Sequence, residues 1–99
     1  MEQITALLKQ LKKLPFIDNI YLFGSRTDSA HAKYADIDIA INCPNATIKE
    51  WQQILDIIEN AETLLKIDCI RYDKISDKLL KQEIDNKKVI LYARNNNTN

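Results

Sequence analysis

The stretch FGSRTDSAHAKYADIDI, Phe23 to Ile39, decides how the rest of the chain is read. It opens on Gly24-Ser25, runs through ten residues and closes on Asp36-Ile37-Asp38. In a strand, residues i and i+2 share a face, so Asp36 and Asp38 point the same way with Cα atoms roughly 7 Å apart. Ile37, Ile39 and Ile41 line the other face. A solvated edge strand would account for polar residues here, but it predicts lysine, threonine or glutamine. Aspartate is disfavoured in strands, and two on one side repel unless a cation lies between them. The pair therefore points to a divalent metal. Gly24 is the only glycine in the chain, and it belongs where no side chain fits. A short helix over Ser25 to Ala32 would aim backbone N–H groups and a hydroxyl at an anion. Taken alone, Gly-Ser after a strand reads as an ordinary strand-to-helix turn.

Upstream, Glu2 to Leu14 reads as an amphipathic helix, because Ile4, Leu7, Leu8, Leu11 and Leu14 recur along one helical face. Glu2 near its start and Lys9, Lys12 and Lys13 near its end suit the helix dipole, and Pro15 stops it. These lysines are read as a solvated surface. Asn19 to Phe23 is an unbroken apolar strand covered on both faces.

Downstream, Pro44 to Thr47 forms a turn, with Thr47 and Glu50 placed as a capping box for a helix from Ile48 to about Leu65. Its wide apolar stripe, from Ile48 through Trp51 and Ile54 to Leu65, suits a helix lying across a sheet. The next strand, Lys66 to Tyr72, turns Ile67, Cys69 and Arg71 to one side and Lys66, Asp68, Ile70 and Tyr72 to the other. A crossover through the helix lays it parallel beside the Asp36–Asp38 strand. Asp68 then joins those two on one sheet face, and three carboxylates there are hard to explain as surface decoration. Ser76 or Asp77 caps a helix over Lys78 to Asn86, and Val89 to Tyr92 is a last strand. The pattern predicts an α/β (α+β) fold, a small mixed sheet covered by helices, as one domain over 1–93 with a disordered tail over 94–99.

Composition narrows the function classes. Ninety-nine residues, 45 % hydrophobic and 28 % charged, fit one soluble globular domain. Fourteen basic and fourteen acidic residues cancel, which removes the electrostatic case for general nucleic-acid or membrane binding. No apolar run approaches the roughly 18 residues of a membrane span, and the charged N-terminus is not a signal peptide. A reducing cytoplasm is expected. Cys43 and Cys69 are too few for a disulfide framework, and with the lone His31 they make no zinc spacing. They read as core-facing thiols.

The order strand, Gly24-Ser25, ten residues, Asp36-x-Asp38, helix, then Asp68 on a later strand resembles the DNA polymerase β nucleotidyltransferase superfamily. The small size brings it nearest to the minimal nucleotidyltransferase (MNT) family, and the closing Lys87-Lys88-Val89-Ile90-Leu91-Tyr92 resembles the way those domains end. The resemblance covers the first helix to that closing strand. Members often carry a second glycine shortly after Gly-Ser-Arg; here Ser29 and its neighbours supply none.

The resemblance implies nucleotidyl transfer to an acceptor hydroxyl. ATP is the expected substrate and Mg²⁺ the cofactor, as two ions roughly 4 Å apart. It assigns Asp36 and Asp38 to both ions, and Asp68 to the ion beside the acceptor, with a part in taking its proton. It assigns Gly24 and Ser25 to the β- and γ-phosphates. Arg26 would add a triphosphate contact, or else pair with Asp28 or simply lie on the surface. In this family such domains pair with a helical HEPN protein in toxin–antitoxin modules. The MNT member there transfers AMP to a tyrosine of the HEPN ribonuclease toxin. Two rival functions remain open: a small-molecule nucleotidyltransferase, like those acting on aminoglycosides, with a separate substrate-binding subunit, and a non-catalytic module that only neutralises its partner.

Overall fold

The computed structural model describes residues 2–23, 37–61 and 66–94, with side chains from Thr5 onward. Helix α1 (Glu2–Lys12) leads to strand β1 (Asn19–Phe23) and then to β2 (Ile37–Asn42). Helix α2 (Ile48–Glu59), β3 (Ile67–Arg71), a 3-10 turn over Tyr72–Lys74, α3 (Lys78–Lys87) and β4 (Val89–Ala93) follow. The strands form one sheet in the order β3-β2-β1-β4. β1 is antiparallel to both β2 and β4, whereas β2 and β3 run parallel. The result is the expected small mixed sheet covered by helices.

Local chemistry sets the ends of these elements. α1 stops at Lys12, two residues before the expected Leu14, because Lys13 and Leu14 bond back to Gln10 and Leu11 in a tightened last turn. Leu14 still packs against the core. At the start of α2 the Thr47 hydroxyl accepts from Glu50 N, and the Glu50 carboxylate accepts from Thr47 N, a complete capping box. α2 ends at Glu59 rather than near Leu65, since Asn60 turns both its backbone N–H and its side-chain amide onto Asp56 O. The remainder of the expected helix, residues 62–65, lies outside the described residues. Asp77 caps α3 through bonds from Leu79 N and Leu80 N.

One sheet face carries the core. Ile20 and Leu22 of β1 and Ile37, Ile39 and Ile41 of β2 meet Leu7 and Leu11 of α1 and Ile54 and Ile58 of α2. Ile67 and Cys69 of β3 pack against the same cluster. β2 is thus an interior strand, and its aspartate is not the polar face of an edge. Ile48, expected on the apolar stripe, is 85 % exposed. At 100° per residue it lies about 120° round the helix from Ile54, off the buried face.

α3 serves the opposite face. Tyr21 alternates with Ile20 and Leu22 and so points away from the core cluster. Its ring meets Tyr72 edge-on at 5.1 Å, and the Lys88 ammonium stands 4.5 Å from its centre. Tyr72 Oη donates to Asp85 at 2.6 Å, which ties α3 to the end of β3. Ile84 of α3 is fully buried. Where β1 starts, Arg94 donates its backbone N–H to Asp18 O at 2.8 Å, so pairing runs one residue past β4.

Candidate active site

The site is built from the residues of β2 and β3 that turn away from the core. Ile37 and Ile39 are buried on either side of Asp38, which forces the Asp38 side chain to the opposite face. Ile67 and Cys69 do the same for Asp68. The parallel register then places Asp38 directly beside Asp68. Neighbouring strands lie about 4.8 Å apart, so the two carboxylates share one small region of the sheet surface. Asp68 is exposed and Asp38 half-buried. Across the antiparallel pair, Phe23 is the register partner of Asp38. Below this row come Tyr21, Ala40 and Ile70, of which the first two are buried.

Two carboxylates this close favour a cation between them, and hard oxygen donors with solvent access suit Mg²⁺. Among the described residues no group of three His, Cys, Asp or Glu side chains is arranged to hold a metal ion. Asp36, Gly24, Ser25 and Arg26, with the expected helix over Ser25 to Ala32, lie outside the described residues. The flanking residues Phe23 and Ile37 both sit at the Asp38 end of the sheet, where Phe23 pairs with Asp38. Asp38 and Asp68 are therefore brought together, and the Asp36–Asp38 and Gly-Ser expectations rest on sequence alone.

Two clusters near the site were not read from the sequence. The first is a polar clamp at the far end of the parallel pair. Arg71 Nε bonds Asp73 Oδ2 at 3.0 Å, and its Nη2 donates to Cys43 O at 3.0 Å and Ala46 O at 2.9 Å. Asp73 Oδ1 accepts from Cys43 N at 2.9 Å. The Arg71 guanidinium also stands 5.8 Å from the centre of the Trp51 ring. An arginine at an inward strand position, two residues before an aspartate, was the available signal. Burial, reinforced by the nearby Asp73 carboxylate, pushes the Cys43 thiol up to about 11. Burial next to Cys43 pushes the Cys69 thiol up to about 12. Both are free thiols.

The second cluster is the tie between β3 and α3. Burial raises the Tyr72 hydroxyl to about 12, with the Asp85 hydrogen bond adding to the effect. The same bond, helped by Lys88, holds the Asp85 carboxyl below the usual carboxylate range. Only a contact between separate elements reveals this pair, so no local pattern could have found it.

With this geometry in place, comparison with known proteins is decisive at the level of family. The profile "Polymerase beta, Nucleotidyltransferase" matches residues 2–97. The chain belongs to the polymerase beta nucleotidyltransferase family. Nucleotidyl transfer is the chemistry of this family, and its fold is the one seen here. Among solved structures, the chain is similar to one from a toxin–antitoxin crystal structure with AMP-PNP, at 20 % identity and TM-score 0.64, covering 93 % of this chain and 72 % of that one. It is also similar to one from a tri-AMPylated Shewanella oneidensis HEPN toxin in complex with MNT antitoxin, at 22 % identity and TM-score 0.54, covering 92 % and 72 %. A candidate nucleotidyltransferase from Sulfolobus solfataricus matches at 16 % identity and TM-score 0.59, covering 96 % and 81 %. At these identities the likeness is one of fold. No curated protein matches the chain. Among the described residues no helix is long and apolar enough to cross a membrane.

Proposed function

We propose that this nucleotidyltransferase is a magnesium-dependent adenylyltransferase, the MNT antitoxin of a HEPN–MNT pair, which transfers AMP from ATP to a tyrosine of its HEPN partner. The observation that carries the reading is the Asp38–Asp68 register pair, on the sheet face turned away from the core of a polymerase beta fold. The similarity to structures of a toxin–antitoxin with AMP-PNP and of an AMPylated HEPN toxin with MNT antitoxin supports the nucleotide and the partner.

Asp38 and Asp68, joined by Asp36, would hold the metal through carboxylate oxygens. Bound there, magnesium neutralises triphosphate charge and stabilises the attacking and leaving oxygens. Asp68 is the more exposed of the described pair, so it faces the incoming acceptor and takes the proton of the tyrosine hydroxyl. That oxygen bonds to the α-phosphorus as the bond to the β-phosphate bridge breaks, and pyrophosphate leaves. Gly24 and Ser25 grip the β- and γ-phosphates, with Arg26 adding a charge-assisted contact. The acceptor comes from the partner, because the described elements are spent on the sheet and the helices covering it.

The test is incubation of this protein with labelled ATP, magnesium and a HEPN partner, followed by intact-mass measurement of the partner. AMP-sized increments that disappear with Asp38→Ala and with Asp68→Ala support the reading. A partner that stays unmodified yet is silenced equally by the double variant sinks it in favour of simple binding. Label that appears only on an added small molecule moves the acceptor class instead.

A further inference from the structure

The parallel β2–β3 pair aligns Asp38 with Asp68, yet among the described strands β3 lies at the sheet edge, paired with β2 alone. Its inward side chains Ile67 and Cys69 specify which face turns in. They do not by themselves specify its axial position, since a slip of two residues keeps every side chain on its own face. Such a slip would carry Asp68 by roughly 7 Å along the sheet, away from Asp38. Three residues along from the aspartates, Ile41 and Arg71 are register partners, and the polar clamp sits there.

We propose that the Arg71–Asp73 clamp is the positioning device of the acidic site, pinning β3 against the end of β2 so that Asp68 stays level with Asp38. The inference rests on the adenylyltransferase reading for its consequence, though not for its geometry. Asp73 accepts from the N–H of Cys43 while Arg71 donates to the carbonyl of the same residue. Both backbone groups of the first residue after β2 are thereby gripped from the end of β3. In a parallel pair these two ends lie together, so the clamp opposes sliding directly. A further bond from Arg71 to Ala46 O binds the turn that leads into α2. The side chains of Arg71 and Asp73 are only 12 % and 10 % exposed, so water cannot replace their bonds without opening the loop. The clamp lies about 10 Å along the strands from the aspartates. Arg71 and Asp73 act through the strand.

Arg71→Lys keeps the charge but loses the forked donor geometry, and Asp73→Asn keeps the shape but loses the charge. Each variant, with Asp68→Asn as control, is compared with the native chain for three properties at a temperature where all are folded. These are hydrogen exchange of the β3 amides, the cross-strand nuclear Overhauser contacts between residues 38 and 68, and Mn²⁺–ATP affinity from broadening of the Asp38 and Asp68 amides. The clamp predicts faster exchange confined to β3, loss of the 38–68 contacts and roughly tenfold weaker Mn²⁺–ATP binding in Arg71→Lys. A merely structural role would lower the melting temperature without moving the metal affinity of the folded protein. Unchanged β3 exchange and unchanged affinity in both variants overturn the proposal. A native chain that shows no Mn²⁺–ATP broadening, while Arg71→Lys still loosens β3, overturns the transferase reading and leaves the clamp standing.

Discussion

Asp38 and Asp68 are register partners across the parallel pairing of β2 and β3, and both face away from the apolar core. The alternation of their neighbours sets the face, and the register sets the meeting. Asp68→Asn should therefore leave folding almost untouched, within about 0.5 kcal/mol, because it removes like-charge repulsion at an exposed position. On the proposed function, adenylyl transfer should fall roughly 100-fold or more, since the substitution would remove the proposed metal ligand and proton acceptor together. Denaturant melts and partner labelling, run side by side, check both halves. An unfolded Asp68→Asn protein would mean that the residue is structural.

Ile54 and Ile48 lie on the same helix and should behave oppositely. Ile54 is fully buried among α1 and sheet residues, whereas Ile48 is 85 % exposed. Ile54→Ala should cost about 2–5 kcal/mol, from lost burial and the cavity left behind. Ile48→Ala should change stability by no more than about 0.5 kcal/mol. Equal losses in urea unfolding would show that α2 is rotated from the arrangement described.

The capping box at α2 gives a third expectation. Thr47→Ala removes the acceptor for Glu50 N and should cost about 1 kcal/mol. Glu50→Ala breaks the reciprocal half, so the double variant should lose less than the sum of the two single losses. A double-mutant cycle measures the coupling. Strict additivity would mean the two bonds form independently.

Tyr72 and Asp85 make stability depend on pH at both extremes. The Tyr72 hydroxyl is raised to about 12, so its contribution is fully present below the ordinary tyrosine value of about 10 and is lost as pH rises through 12. The Asp85 carboxyl is lowered, so its contribution is present above the usual carboxylate range and is lost as pH falls through the depressed value. Tyr72→Phe should move the Asp85 titration, followed by carboxyl-carbon nuclear resonance, back up toward that range. No movement would mean that the hydrogen bond is not what holds it down.

The thiols should be slow to react in the native protein. The nucleophile is the thiolate, and burial pushes Cys43 to about 11 and Cys69 to about 12. At pH 8, alkylation followed by mass spectrometry should find both largely unmodified until denaturant is added. Rapid native labelling of Cys43 would show that the β2–α2 turn opens readily, against the clamp seen there.

By itself the sequence determined most of the described elements, the faces of β2 and β3, and the carboxylates proposed here for nucleotidyl transfer. Ile37, Ile39 and Ile41 alternate with Asp38 and Ala40, and that period of two is a property of the backbone. Thr47 with Glu50, and Asp77 ahead of Leu79 and Leu80, announce helix starts through bonds only two or three residues long. Tertiary structure alone decided the register in which the carboxylates meet and the side-chain contacts around them. The alignment of Asp38 with Asp68, the grip of Arg71 and Asp73 on Cys43, and the Tyr72–Asp85 tie all join segments that are distant along the chain. Such contacts form only after loops have closed and strands have chosen a register, and no local pattern encodes that choice. For the opening stretch, both flanks are thereby placed at the end of the sheet where Asp38 and Asp68 stand side by side.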